Sequence, residues 1–367
     1  MWNVIHIRDS LFYGGPEAII AGQIGVLSKR GFNFIVTSFT KRNQNNDFLL
    51  KIQQKGYSVV PLRGIFKSIF TLVNLIKDKQ IHLIICHDYK SNLYGIIAAK
   101  LCRKPAISVF HGRTSHSKKM IIYEKFDDKI LRLFDGIICV SKSIKNNLIK
   151  KGFNPQKLKV IYNAIDIKEI DITIKTPIRE ELNLPEQSKI VVNIGRISPE
   201  KGQYFFIKAA MHVSSVLPNC YFLIIGNGPN LDKLKYVVKK AGYSHRIFFL
   251  GFRRDALAIL KQSDLLVITS LREGLPLVLL EAFALKVPVL CSPVGGIPEV
   301  VSEGITGYLC PPNNTKKLSE KIIHILTSHK NALVIKRAYS LVKEKFSFKN
   351  QADKLSQYYL EILNEKR

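Results

Sequence analysis

A chain of 367 residues is long enough for two domains, each burying its own core, and a hydrophobic content of 46% excludes a disordered polycation. Lys and Arg number 56 against 28 Asp and Glu, a formal charge of +28 that implies an anionic partner: nucleic acid, phosphorylated metabolites or an acidic membrane surface. The cysteines, Cys86, Cys102, Cys139, Cys220, Cys291 and Cys310, never adopt a metal-ligand spacing, which fits a reduced, cytosolic setting. Met1–Ile7 is too short for a signal-peptide core and is followed by Arg8, and no window approaches the roughly 18 uncharged apolar residues of a membrane span. The expectation is a protein neither secreted by a cleaved signal nor threaded through a membrane.

Short apolar runs alternate with helix-period segments along nearly the whole chain, the rhythm of parallel βαβ units. In the first half the pattern predicts strands at Trp2–Ile7, Phe34–Phe39, Tyr57–Val60, His82–Cys86, Ala106–Phe110, Gly136–Val140 and Val160–Tyr162. Helices are expected at Glu17–Arg30, Ile65–Lys77, Asn92–Leu101 and Tyr123–Phe134. The stretch Ala164–Lys189, with Pro177 and Pro185, reads as a linker with one short helix. Alternation then resumes with strands at Ile190–Ile194, Tyr221–Ile225, Ile247–Leu250, Leu265–Ile268, Val287–Leu290 and Gly307–Leu309, separated by helices at Gln203–Val216, Leu231–Ala241 and Leu277–Leu285. Phe346–Arg367 is a final helix whose Leu355, Tyr358, Tyr359, Ile362 and Leu363 recur at helical spacing, a packing stripe. The fold class is therefore α/β, with two Rossmann-like, doubly wound parallel-sheet domains.

Phosphate chemistry is concentrated at strand-to-helix turns. Asp9-Ser10-Leu11-Phe12-Tyr13-Gly14-Gly15-Pro16-Glu17 places a glycine pair where a phosphate could approach the backbone, or where a tight turn needs positive φ. It matches neither G-x-G-x-x-G nor a P-loop. Ile194-Gly195-Arg196-Ile197-Ser198-Pro199-Glu200-Lys201-Gly202 carries two cations, Arg196 and Lys201, suited to a diphosphate or simply solvated. Gly226-Asn227-Gly228-Pro229 follows the next strand on the same sheet edge. Ser270-Leu271-Arg272-Glu273-Gly274-Leu275-Pro276-Leu277-Val278-Leu279-Leu280-Glu281-Ala282 sets Glu273 in the loop before a helix and Glu281 inside it. Glu281 interrupts an apolar face, so it needs a partner: ligand hydroxyls or a nearby cation.

Together with Ser108-Val109-Phe110-His111-Gly112, Val140-Ser141, Val160-Ile161-Tyr162-Asn163-Ala164-Ile165-Asp166 and Val294-Gly295-Gly296-Ile297-Pro298-Glu299, these segments make the chain resemble a GT-B glycosyltransferase of the family-four, retaining type over nearly its full length. The resemblance implies a GT-B fold whose two domains face across a cleft, with an acceptor-binding domain at 1–170 and a nucleotide-sugar-binding domain at 171–346. The last helix, 347–367, would pack back on the first domain. It implies that Arg196 and Lys201 clamp the diphosphate and that Glu281 binds ribose. Gly15, Gly226 and the amides of Leu277 and Val278 would complete the donor site, with Glu273 and His111 as catalytic groups, Glu273 at the sugar hydroxyls and His111 beside the reacting centre. The other histidines lie outside the family motifs, and His82 reads as structural. No D-x-D triplet occurs, so the expectation is a metal-independent enzyme without a cofactor, its nucleotide sugar being a substrate. Two departures from the family pattern are Lys286, where a Gly is usual before Val-Pro, and Asn163-Ala164, where Asn-Gly is usual. The first is expected to alter a helix C-cap.

The implied activity is transfer of a hexose or N-acetylhexosamine to a cell-surface glycan or glycolipid of lipopolysaccharide, O-antigen or capsule type. The charge leans toward the acceptor half: residues 1–170 hold 28 Lys or Arg against 11 Asp or Glu, net +17, and residues 171–367 hold 28 against 17, net +11. Arg103-Lys104, Arg113, Lys118-Lys119, Lys142, Lys145 and Lys150-Lys151 lie among apolar residues, as suits peripheral binding to an anionic membrane surface at the cytoplasmic face of the inner membrane. A solvated Lys-rich face is the plainer reading. Competing readings are a nucleotide-sugar epimerase of GT-B-like shape and a basic nucleic-acid-binding protein, but no nucleic-acid-binding signature is present and none is expected as a partner.

Overall fold

The computed structural model describes residues 1–41, 44–113, 118–170, 177–328 and 331–365. The chain forms two compact units, Met1–Ile165 joined by Phe348–Arg367, and Asp166–Ser347.

The first unit runs β1 (Trp2–Arg8), α1 (Gly15–Leu27), β2 (Phe32–Phe39), α2 (Asp47–Gln54), β3 (Ser58–Leu62), α3 (Ile65–Asp78), β4 (Leu83–Cys86), α4 (Tyr89–Leu101), β5 (Ala106–Phe110), α5 (Lys118–Leu131), β6 (Gly136–Cys139), α6 (Lys142–Lys150) and β7 (Leu158–Val160). Its sheet has the order β3-β2-β1-β4-β5-β6-β7 with every pairing parallel. The chain moves outward from β1 to β3 and returns to β4, so the order reverses beside β1, where Val4 pairs with Phe34 on one side and Leu83 on the other. Right-handed crossovers then put α1 and α2 on one face and α3 to α6 on the opposite face. The core shows this directly: Ile20 and Ile24 of α1 and Phe48 and Ile52 of α2 pack together over Val4, Val36 and Ile85. Strands such as β4 and β6 are buried at every position, the continuous apolar run that a sheet covered on both faces requires.

The second unit runs α7 (Ile167–Ile170), α8 (Ile178–Glu181), β8 (Lys189–Ile194), α9 (Gln203–Val216), β9 (Cys220–Ile225), α10 (Leu231–Lys240), β10 (Ile247–Gly251), α11 (Ala256–Lys261), β11 (Leu265–Ile268), α12 (Leu277–Ala284), β12 (Val289–Cys291), β13 (Tyr308–Leu309), α13 (Thr315–Thr327) and α14 (Asn331–Lys345). Its sheet order is β10-β9-β8-β11-β12-β13, again parallel, with the reversal beside β8. The final helix, α15 (Phe348–Asn364), belongs to the first unit. Leu355, Tyr358, Tyr359, Ile362 and Leu363 are buried in that unit's core, and Gln351 is fixed between Gln23 (3.1 Å) and the carbonyl of Tyr162 (2.6 Å).

Several boundaries differ from the sequence reading for identifiable reasons. β7 ends at Val160 and not Tyr162, whose carbonyl is taken by Gln351. β12 begins at Val289 because the Val287 amide closes α12 on Ala282 (2.9 Å). The linker holds two short helices, α7 and α8, while 171–176 lies outside the described residues. Lys286 takes φ +60, the left-handed conformation at a helix end that glycine adopts without strain.

Candidate functional site

In open parallel sheets, ligands bind at the carboxyl ends of the strands where the strand order reverses. In the second unit that edge is built by the loops after β8, β9, β11 and β12. The β8 loop carries Arg196, and Lys201 closes the 3₁₀ turn Pro199–Lys201. The β9 loop is laced to it: Gly195 donates to Ile225 and Ile197 to Asn227, both at 2.9 Å. Gly226 has φ +137, and a Cβ there would sit 2.0 Å from the Gly195 carbonyl oxygen, so a side chain cannot be accommodated.

The β11 loop delivers Glu273. Lys201 Nζ and Ser270 Oγ both donate to Glu273 Oε1 at 2.6 Å, across 72 residues of chain in the first case. Gly295 of the β12 loop presses on the same residue: it has φ +58, and a Cβ would lie 1.9 Å from the Glu273 carbonyl oxygen. Gly296 donates to Gly274 at 2.7 Å, which ties the two loops together. The Val294–Glu299 segment thus supports Glu273 from below.

Arg196 is exposed and, among the described residues, makes no side-chain hydrogen bond or ion pair; its carbonyl is held by Gln203 Nε2 at 2.9 Å. Glu281 lies one turn inside α12, and no described side chain pairs with its carboxyl, so the cation partner weighed from sequence is not there. Burial pushes its pKa up to about 7. α12 begins at Leu277 and Val278 with no side-chain cap, leaving their amides as orphan donors at the positive end of the helix. Among the described residues this edge therefore offers the unneutralised Arg196, a lysine shared with a carboxylate, free helix amides and a carboxyl whose pKa burial raises to about 7. Such a set binds a phosphorylated, hydroxyl-rich ligand.

In the first unit, the Gly14-Gly15 turn does not need positive φ. Gly14 is extended at φ −123 and Gly15 opens α1. The turn is organised by Glu17, which accepts from the Gly14 amide (3.1 Å) and from Arg8 Nε (2.9 Å), while Arg8 also donates to the His87 carbonyl (3.0 Å). A pocket of about 260 Å³ opens here, lined by Arg8, Asp88, Tyr89, Asn92 and His111 among others.

His111 is the end of a buried stack of three imidazoles. His6 Nδ1 and His87 Nε2 are 2.8 Å apart, and the His87 and His111 rings stack with centroids 6.3 Å apart. Burial lowers the pKa of His6 and of His111 to about 3, and drives His87 well below its ordinary value with help from its charged neighbours. All three are neutral at pH 7. His111 Nε2 is buried and, among the described residues, has no hydrogen-bond partner. This environment suits a neutral imidazole that hydrogen-bonds a hydroxyl, and opposes proton uptake.

Below the pocket, Ser108 Oγ donates to Asn92 (2.8 Å), Asn92 donates to Asp127 (3.0 Å), and Arg113 pairs with Asp127 at 3.0 Å and with Asp128. Burial raises the pKa of Asp127 and of Asp88. Arg113 also lies 5.0 Å over the rings of both Tyr89 and Phe110. Its expected place on a basic surface is thus corrected: its side chain is only 9% exposed because two carboxylates and two rings enclose it. Ser141 caps α6 through its hydroxyl, and His82 accepts from the Asn3 amide at 3.0 Å, so both are structural.

Arg8, His87, Asp88, Tyr89 and Asn92 were not singled out from sequence. Their signal was position: they end β1 or follow β4, the two strands flanking the order reversal. Among the described residues no group of three or more His, Cys, Asp or Glu is placed to hold a metal ion, and no helix is long and apolar enough to cross a membrane.

The family model "Glycosyltransferase Family 4" matches residues 13–169, and "Glycosyl transferases group 1" matches residues 174–340. An Escherichia coli UDP-Gal:alpha-D-GlcNAc-diphosphoundecaprenol alpha-1,3-galactosyltransferase is 27% identical over 82% of this chain and 80% of its own. N-acetyl-alpha-D-glucosaminyl L-malate synthase of Bacillus anthracis is 29% identical over 63% of this chain and 61% of its own. The fold is shared with Anabaena Alr3699/HepE solved with UDP-glucose, at a TM-score of 0.87 and 22% identity over 98% of this chain and 100% of that one. With both parallel-sheet units matched in sequence and in fold, the chain belongs to the GT-B glycosyltransferases of the family-four type.

Proposed function

We propose that the protein is a retaining, metal-independent glycosyltransferase that moves a hexose or N-acetylhexosamine from a nucleoside diphosphate sugar to a lipid-linked or cell-surface glycan acceptor. The observation that carries this is the unpaired Arg196 beside the Lys201–Glu273 pair, on loops that glycines hold at the switch edge of the second unit. Arg196, Lys201, the backbone at Gly226 and the amides of Leu277 and Val278 take the diphosphate, and Glu281 accepts from ribose hydroxyls. Glu273 exchanges its bond to Lys201 for the donor sugar's hydroxyls when the phosphates claim the lysine. The relatives that act on UDP-galactose or are solved with UDP-glucose favour UDP as the nucleotide.

In the reaction the C1–O bond breaks and its electron pair leaves on the β-phosphate oxygen, where Arg196 and Lys201 stabilise the charge. The acceptor hydroxyl oxygen bonds to C1 from the same face and its proton passes to the departing phosphate. Acceptor hydroxyls are held by the first unit, in the pocket lined by Pro16, Asp88 and His111 among others. The E. coli relative's diphosphoundecaprenol acceptor favours a lipid-linked one here, met at the cytoplasmic face of an anionic membrane. Arg196→Ala and Lys201→Ala should each lower kcat/KM by roughly a hundredfold, the usual loss for one charge-stabilising donor. Turnover should survive a chelator. Near-normal turnover in both variants, or loss of activity to the chelator with rescue by a divalent ion, contradicts the reading.

A further inference from the structure

Two helices on one face of the first unit's sheet present large apolar side chains to solvent. On α3, Phe66 and Phe70 are 77% and 68% exposed, one turn apart, while Ser68, Leu72 and Ile76 fill the inner side. On α5, Ile122, Tyr123 and Phe126 are 71%, 51% and 54% exposed, while Asp127, Ile130 and Leu131 point inward. Single exposed apolar residues are ordinary, but five within the first nine positions of two helices are not. α4 packs against both helices, so they flank it on the same face. Each follows a parallel strand, so the N-terminal halves of α3 and α5 lie at the carboxyl edge of the sheet, the edge that opens the 260 Å³ pocket. α5 even contributes to both, with Asp127 lining the pocket and Phe126 beside it facing out.

The exposed charges beside these aromatics are cations, and the one acid among them, Glu124, is only partly exposed with its Oε1 buried. Arg63 just before α3, Lys67 on α3, and Lys125 and Lys129 on α5 are exposed. Two of the three acids of α5 are spent elsewhere: Asp127 and Asp128 pair with Arg113, and Asp128 also with Lys151 at 3.0 Å. An outward face of aromatic and basic groups, with Glu124 as its single and half-buried carboxylate, fits the headgroup region of an anionic bilayer, where rings sit at the interface and cations reach lipid phosphates. A second copy of the chain is the poorer occupant, because a two-fold contact would set these cations against themselves.

We infer that the outer faces of α3 and α5 form the surface by which the protein docks on an anionic membrane, holding the carboxyl edge of the first sheet toward the lipid. The inference rests on the proposed lipid-linked acceptor, and its test reads lipid binding apart from transfer. The full chain is sedimented with vesicles of phosphatidylcholine and phosphatidylglycerol, three to one, and with phosphatidylcholine alone. The wild type should bind only the mixed vesicles. Phe66→Ser with Phe70→Ser, and Tyr123→Ser with Phe126→Ser, should each weaken binding at least tenfold. Lys67→Glu with Lys125→Glu should lose it, at about fivefold or more per cation. Tyr236→Ser, an exposed aromatic of the second unit, should change nothing. Thermal midpoints of the variants should match the wild type, and transfer to a soluble acceptor analogue should be preserved. Equal binding by all variants, binding indifferent to phosphatidylglycerol, or a dimer that the same variants disperse would each overturn the inference. Loss of transfer with lipid binding intact would count against the acceptor reading alone.

Discussion

The two units share an architecture and treat their polar groups in opposite ways. At the carboxyl edge of the second sheet, among the described residues, Arg196 has no side-chain partner, burial raises the Glu281 pKa to about 7, and Lys201 is lent to Glu273. At the same edge of the first sheet the cations are already engaged, Arg8 with Glu17 and Arg113 with Asp127 and Asp128, and His6 meets His87, while His111 Nε2 is left open toward the pocket side among the described residues. The second edge is a set of charges waiting for a ligand, and the first is a prebuilt wall around a pocket. Substitutions should therefore cost mainly donor affinity in one unit and mainly stability in the other.

The largest expected stability loss comes from Asp127→Ala, which strands the Arg113 cation between two rings with only Asp128 left. Removal of one partner of such a buried pair costs about 3–5 kcal/mol. A denaturant titration showing less than about 1 kcal/mol would put Asp127 and Arg113 in the ligand-waiting class instead.

Acid should act on the same wall. His6, His87 and His111 are neutral in the folded protein, with His6 and His111 at about 3, whereas in the unfolded chain each titrates near 6.5. Below pH 6.5 the unfolded chain thus binds more protons, and folding weakens as pH falls, by about 1.4 kcal/mol per pH unit per histidine until the folded pKa is reached. His6→Gln should remove one share of that slope between pH 6.5 and 5.5. Parallel stability profiles for wild type and variant would contradict the buried, neutral stack.

In the second unit pH should act on binding. Burial raises the Glu281 pKa to about 7, and its ionised form accepts from hydroxyls at both oxygens, whereas the protonated form donates from one of them. Its share of donor affinity should rise about tenfold from pH 6 to pH 8, following the ionised fraction. Glu281→Gln should flatten that rise relative to the wild type. An identical pH dependence in both proteins would remove Glu281 from the donor site.

The smallest effect expected is a gain. Lys286 holds φ +60 at the end of α12, with its ammonium 5.0 Å over the Tyr339 ring. Lys286→Gly should relieve backbone strain worth about 1 kcal/mol, less what the ring contact contributes. A lower melting midpoint would mean the ring contact outweighs the strain.

The same contrast explains what could be read from sequence. The strands were legible because buried parallel strands are short apolar runs, as in Leu265–Ile268. The donor-side groups were legible because each sits in a contiguous turn with its glycines. The pairing of Lys201 with Glu273 was not, since nothing local joins residues so far apart. α6 escaped notice because only Ile144 and Leu148 of its nine residues are buried, too few to show a helical stripe. The pocket of the first unit was missed almost entirely, because Arg8, His87, Asp88 and Asp127 come from separate elements that only the sheet order brings together. Arg113 looked like surface charge for the same reason: its partners lie on α5, a helix away.

The most direct test of the account is the affinity of UDP, by calorimetry, for the wild type, Arg196→Ala, Lys201→Ala and the first-unit variant Asp88→Asn. The expected result is binding weakened at least tenfold by each second-unit substitution and unchanged by Asp88→Asn. Equal affinity for UDP in the wild type and both second-unit variants would contradict the assignment of this edge to the donor diphosphate.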